Sequence, residues 1–171
     1  MPTDIDKLQS LVTESAGAIA VRYADNPARF VREMEAMIVR AHTAATIGAI
    51  QDRTRIQPQG LSRAERQDLQ AMIAAQRPYL AGFAKDMATG EMTEEQIRRR
   101  AELYAGPVRL TYSKERWPNV PDWPASGGTP CLAWCKCRWE EQDDGMHWLL
   151  GAAEHCTECV SRASNWAPYT G

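Results

Sequence analysis

Five cysteines, Cys131, Cys135, Cys137, Cys156 and Cys159, carry the densest chemical signal in the chain. They read Cys-x3-Cys-x-Cys, then eighteen intervening residues, then Cys-x2-Cys, with His155 directly before the last pair. Two close-spaced thiol clusters on either side of a short hairpin are what a closed tetrahedral zinc site requires, four soft donors brought to one point by a turn. In a reducing cytosol disulfides are disfavoured, and an odd number of thiols would leave one over, so metal explains the clustering better than disulfides do. Small buried hydrophobes, the other common role of cysteine, have no need to cluster.

The expected donors are Cys135, Cys137, Cys156 and Cys159. Cys156 and Cys159 form the strongest pair, because x2 spacing at a helix start points both thiolates the same way and the helix dipole favours their charge. Cys135 and Cys137 share one face of a strand and can turn toward that pair. Cys131 is an alternate if the Leu132-Ala133-Trp134 turn tightens, and His155 is a reserve donor better suited to a capping or outer hydrogen-bonding role. His147 alternates with Trp148 on a strand and can face either side. No catalytic residues are expected: a zinc deaminase needs His-x-Glu ahead of its cysteines, and that order is missing. Glu154 and Glu158 lie near the thiols in sequence, but proximity alone does not make a general base beside an open metal position.

The elements that must position these donors begin after a Pro/Gly-rich connector at 117–130, where Pro118, Pro121, Pro124 and Pro130 forbid a helix. Trp117 and Trp123 within it imply that it lies against a surface. A Cys/Trp-rich zinc-binding module then covers 131–171. Cys135, Cys137 and Trp139 alternate with Lys136, Arg138 and Glu140 as a strand, Asp143-Asp144-Gly145 signals a hairpin turn, and Met146 to Leu150 form the return strand. A short helix from the last cysteine pair to about Ser164 follows, before Pro168.

Residues 1–116 read as a helical body of about four amphipathic helices, with apolar residues three and four apart and almost no alternation. The first spans about Thr3 to Tyr23. Asn26-Pro27 caps and opens the second, whose stripe of Phe30, Met34, Met37, Ile38, Ala41, Ala45 and Gly48 runs to about Thr54. Ser62-Arg63-Ala64-Glu65 and Thr93-Glu94-Glu95-Gln96 have capping-box spacing and start the third and fourth. Pro78 predicts a kink or break in the third, and Gly106-Pro107 a bend or restart in the fourth. Arg98-Arg99-Arg100 resembles a phosphate-binding run, yet consecutive helical residues diverge and Glu94, Glu95 and Glu102 stand within pairing reach, which predicts a salt-bridged face. His42 has no acid, thiol or second histidine at helical spacing, and reads as surface or core filler.

The chain has 171 residues, 44% hydrophobic and 25% charged, with a net charge of −2. That is enough to bury a core and excludes disordered, collagenous and membrane-spanning classes. All six tryptophans fall after residue 116, and residues 117–171 hold three basic against seven acidic side chains. Such a charge makes the cysteine-rich part a poor phosphate binder. Acids near the amino terminus replace the basic start of a secretory signal, so a cytosolic protein is expected.

Gly127 to Glu140 (Gly-Gly-Thr-Pro-Cys-Leu-Ala-Trp-Cys-Lys-Cys-Arg-Trp-Glu), then Trp148 to Ala163 with its Glu-His-Cys-Thr-Glu-Cys run, and Trp166-Ala-Pro-Tyr resemble the carboxy-terminal segment of tailed-bacteriophage minor head or head-morphogenesis proteins. The resemblance is specific over about 45 residues and general elsewhere, where Arg99, Ala101, Tyr104 and Ala105 precede the connector. It matches Cys131, Cys135, Cys137, Cys156 and Cys159 to the family's cysteines, with His155 beside them. Many members are much longer and begin with a large head-protein domain. The resemblance implies a non-enzymatic virion structural protein of the head, present in the host cytoplasm before assembly, touching capsid or portal subunits or sister copies in many copies, with no specific nucleic acid and no membrane. Zinc would be its structural cofactor. The alternative is a zinc-containing nucleic-acid-binding regulatory protein.

Overall fold

The computed structural model describes residues 3–122, 130 and 136–169. It divides into two compact units, one ending at Arg116 and the other beginning at Trp117. Cys131 and Cys135, the Leu132-Ala133-Trp134 turn, and the connector residues Trp123, Pro124 and Ser126-Gly127-Gly128 lie outside the described residues. Among the described residues no helix is long and apolar enough to cross a membrane.

The first unit is built from α1 (Ile5–Arg22), α2 (Pro27–Thr54), α3 (Arg63–Ala88), α4 (Glu94–Glu102), a 3-10 turn (Leu103–Ala105) and α5 (Gly106–Arg116). Each start is set locally. Asp4 and Asn26 accept backbone N–H bonds from Lys7 and Arg29. Both capping boxes close, Ser62 with Glu65 and Thr93 with Gln96, each satisfying two orphan donors of the helix start. At the end of α2, Arg55 takes the left-handed conformation at φ 61° and donates its N–H to Gln51.

Two helix boundaries refine the sequence expectation. α3 is helical through Pro78, which sits on the exposed face, so the carbonyl of Ala74, four residues back and likewise exposed, loses its helical donor where water can replace it. At Gly106-Pro107 the chain restarts: α4 tightens into the 3-10 turn and α5 begins at Gly106. Among the described residues the body therefore holds five α-helices, the fourth amphipathic stripe being divided at Gly106.

α2 is the hub, packed on α1, α3 and α5, while α1 also packs on α4. Its buried stripe of Phe30, Met34, Met37, Ile38, Ala41, Ala45 and Ala49 meets Ile73, Leu80, Phe83 and Met87 of α3 and Val108 and Tyr112 of α5 in one core. Phe30 meets Phe83 edge-on with centroids 5.1 Å apart. Met34, Met37 and Met87 are core residues.

Three buried polar groups tie the helices together. Thr3 donates its N–H to Asp52 Oδ2 at 2.8 Å and Tyr112 donates its hydroxyl to the same oxygen at 2.7 Å. Gly48 lets this happen, since a Cβ there would stand 2.5 Å from Thr3 Oγ1. Burial raises the Asp52 pKa, but the bonds from Thr3 and Tyr112 and the Arg116 charge outweigh it and hold the carboxyl below its ordinary value. Burial, followed by the Asp52 bond, pushes the Tyr112 hydroxyl up to about 12. His42 is a core residue, 1% exposed, with Nδ1 2.7 Å from Thr111 Oγ1, and burial lowers its pKa to about 4.

The arginine run is salt-bridged. Arg98 pairs with Glu94 at 3.3 Å and Arg99 with Glu95 at 2.6 Å, both i,i+4. Arg100 pairs with Asp86 of α3 at 2.6 Å and lies over the Phe83 ring at 4.6 Å.

The second unit holds an antiparallel hairpin, β1 (Arg138–Gln142) and β2 (Gly145–Leu149), and a short helix, α6 (Thr157–Asn165). Gln142 faces Gly145 across the two-residue loop Asp143-Asp144, and Gly145 adopts φ 136°, a conformation open to glycine.

Candidate metal centre

Period-two alternation fixes which side chains of the hairpin turn inward. Trp139 and Trp148 are directly opposed in register and fall on the buried face, with Cys137 joining them just before β1. Trp148 is wholly buried and meets Trp139 edge-on at 5.4 Å, while Trp166 stacks on Trp139 at 5.7 Å and Tyr169 closes the group at 6.0 Å from Trp166. The tail is laced onto β2 by backbone bonds from Trp148 N–H to Trp166 O at 2.8 Å and from Tyr169 N–H to Met146 O at 2.7 Å.

Among the described residues of this unit, Arg162 of α6 is the buried charge. Its guanidinium lies 5.2 Å from the Trp148 ring centroid and 4.8 Å from that of Trp166, and it pairs with the carboxylate of Asp122 and, at 3.4 Å, with Glu158. Asp122 also accepts from Trp139 Nε1 through its carbonyl at 2.8 Å. Neither Arg162 nor Asp122 stood out in the sequence, because their pairing spans forty positions and no local spacing marks it.

Cys137 and Cys159 are buried, and Cys156 is half-buried at the N-cap of α6, where its sulfur accepts from Cys159 N–H at 3.5 Å. A thiolate at that position meets the positive end of the helix dipole. Cys137 Sγ lies 3.6 Å from His155 Nδ1, and the opposite ring nitrogen, Nε2, lies 2.6 Å from the carbonyl oxygen of Gly151. His155 thus contacts a proposed donor directly. His147 turns the other way: its Nε2 pairs with Asp144 at 2.7 Å, and that bond is the first cause holding the Asp144 carboxyl below its ordinary value. Glu154 is exposed and Glu158 is engaged by Arg162.

Zinc with bonds of about 2.3 Å to sulfur and about 2.0 Å to nitrogen at a tetrahedral angle separates the two donor atoms by about 3.5 Å. The observed 3.6 Å between Cys137 and His155 fits that edge. Among the described residues no group of three or more His, Cys, Asp or Glu side chains is gathered closely enough to hold an ion. Two of the sequence's candidate donors, Cys131 and Cys135, lie outside them.

No protein-family model, curated protein or solved structure matches the chain.

Proposed function

We propose that this chain is a non-enzymatic structural protein of a bacteriophage head, associated with capsid or portal subunits or sister copies, whose carboxy-terminal unit is held by a structural zinc. The observation that carries the reading is the interior of the second unit. The residues that bear the head-protein resemblance, Cys137, Trp139, Trp148, Cys159 and Trp166, are the ones that build its buried centre and the donor contact to His155. They are packing and ligation residues of a small self-contained module. About fifty residues bury too little surface to be stable without a staple, and metal ligation supplies folding free energy on the order of 10 kcal/mol in small finger peptides. Cys135, Cys137, Cys156 and Cys159, with Cys131 and His155 as alternates, are the side chains that would hold the ion.

The helical body supplies the contact surface. Val39, Leu61, Leu69 and Ile73 line an open groove of about 760 Å³ between α2 and α3, and Leu11, Ile56, Tyr79 and Leu103 are more than half exposed. Mass spectrometry of purified particles of the phage that encodes the chain tests the proposal: the protein is expected in the head at several copies, and Val39→Lys or Ile47→Lys is expected to lower its incorporation more than its folding. Absence from particles, or sub-micromolar DNA or RNA binding with a steep salt dependence, would favour the regulatory alternative.

A further inference from the structure

We propose that the cleft between α3 and α5, over His42 of α2, is a binding site for a small aliphatic ammonium ion. The cleft measures about 290 Å³, the size of a small-molecule site. α2 packs on both α3 and α5, and its buried His42 and Thr46 form the floor. Glu65 and Asp68 of α3 stand on one wall, Thr111 and Glu115 of α5 on the other.

The floor asks for an occupant. His42 is 1% exposed, its Nδ1 meets Thr111 Oγ1 at 2.7 Å, and its Nε2 is buried with no hydrogen-bond partner among the described residues. Buried polar atoms are nearly always bonded, so an unmet nitrogen at the wall of a cleft marks where a ligand's hydrogen bond falls. Burial keeps the ring neutral at pH 7. With the ring proton on Nδ1, donated to Thr111, Nε2 offers a lone pair, and a protonated amine has only donors to give it.

The walls select the charge. Glu65, Asp68 and Glu115 line the cleft against Lys114 alone. Among the described residues no basic side chain forms a salt bridge with any of the three carboxylates. Burial first, and then the Glu65 charge, raises the Glu115 carboxyl above its ordinary value, with Arg53 opposing and Asp68 adding. A bare metal ion fits poorly, because no three His, Cys, Asp or Glu side chains among the described residues are gathered closely enough to hold one. An ammonium group tolerates that spread, since it reaches separate acceptors through three N–H donors. Leu69 and Met72 of α3 give a short alkyl chain its apolar surface.

Nuclear magnetic resonance titration of the full chain at pH 7 and low salt, reading the imidazole nitrogen signals, tests the site. The probe is n-butylamine, and n-butanol is its uncharged match. The His42 signals, identified by their loss in His42→Leu, are expected to move saturably with a Kd below about 1 mM, while those of His147 and His155 stay in place. The alcohol should move none of them, and Glu115→Gln combined with Asp68→Asn should weaken butylamine binding about tenfold or more. Glu65 is kept because it closes the Ser62 capping box. No saturable His42 movement below about 10 mM, the result if an ordered water alone meets Nε2, overturns the proposal. So does an equal response to n-butanol, an equal response to magnesium chloride, or unchanged affinity in the double variant. Should the double variant fail to fold, Glu115→Gln alone, which removes a disfavoured charge, decides by the same measurement.

Discussion

Gly151 rests against the backbone of Lys136 so closely that no side chain fits between them, while its own carbonyl accepts from His155. One position thus joins the strand that leads through Cys137 to the loop that ends at Cys156. Gly151→Ala must push the two segments apart, an overpacking that costs about 1–3 kcal/mol. Chemical denaturation followed by tryptophan fluorescence is expected to show that loss in the second unit, with zinc content reduced alongside it.

Arg162 is held by Asp122, Glu158 and two indole rings at 9% exposure. Arg162 is the buried partner, while the Asp122 and Glu158 side chains stay 22% and 55% exposed. Its removal costs chiefly the charge-assisted hydrogen bond to Asp122, about 1.5–3 kcal/mol, together with the two ring contacts. Arg162→Ala is therefore expected to unfold or loosen the second unit, and Arg162→Lys to recover only part of the loss, since an ammonium cannot span a carboxylate and two ring faces as a planar guanidinium does. Near-ultraviolet circular dichroism of the tryptophan cluster reads both.

His42 makes the helical body sensitive to mild acid. Its folded pKa of about 4 lies below the ordinary 6.5, so the unfolded chain takes up the proton first. The stability due to the neutral ring is full above pH 6.5 and falls as pH drops toward 4, by about 3 kcal/mol in all. Thermal melts from pH 7 to 4 are expected to show this slope, and His42→Leu to flatten it. An unchanged slope in the variant would place the acid sensitivity elsewhere.

Asp52 contributes in the opposite chemical sense and at lower pH. Its folded pKa is depressed, so its contribution is present above the ordinary carboxylate value and is lost only as pH falls through the folded one. Tyr112→Phe withdraws one hydrogen bond from this buried carboxylate, a loss of about 1.5–3 kcal/mol. Urea titration at pH 7 is the measurement, and Asp52→Asn should make the Tyr112→Phe change much smaller.

The capping boxes offer a local control. Ser62→Ala and Thr93→Ala should each cost about 1 kcal/mol through lost helix-start bonds, with their effects additive because the two boxes share no partner. Circular dichroism melts of the single and double variants check both statements.

What could be read from the residues alone was whatever rests on contacts a few positions apart. The caps at Asn26, Ser62 and Thr93, the apolar stripe of α2, the i,i+4 bridges of Arg98 and Arg99, and the Asp143-Asp144-Gly145 hairpin are short-range bonds whose geometry follows from helical and strand periods. Tertiary packing decided the rest. Arg100 found Asp86 fourteen positions away on another helix, Pro78 was tolerated because its face meets solvent, and Thr3 and Tyr112 converged on Asp52 across 49 and 60 positions. At the candidate centre, spacing marked His155 as a reserve donor, and only the fold brought its Nδ1 against Cys137, eighteen positions away. Sequence period reports which way a side chain leaves its own backbone; which group from a distant segment arrives to meet it depends on how the whole chain closes.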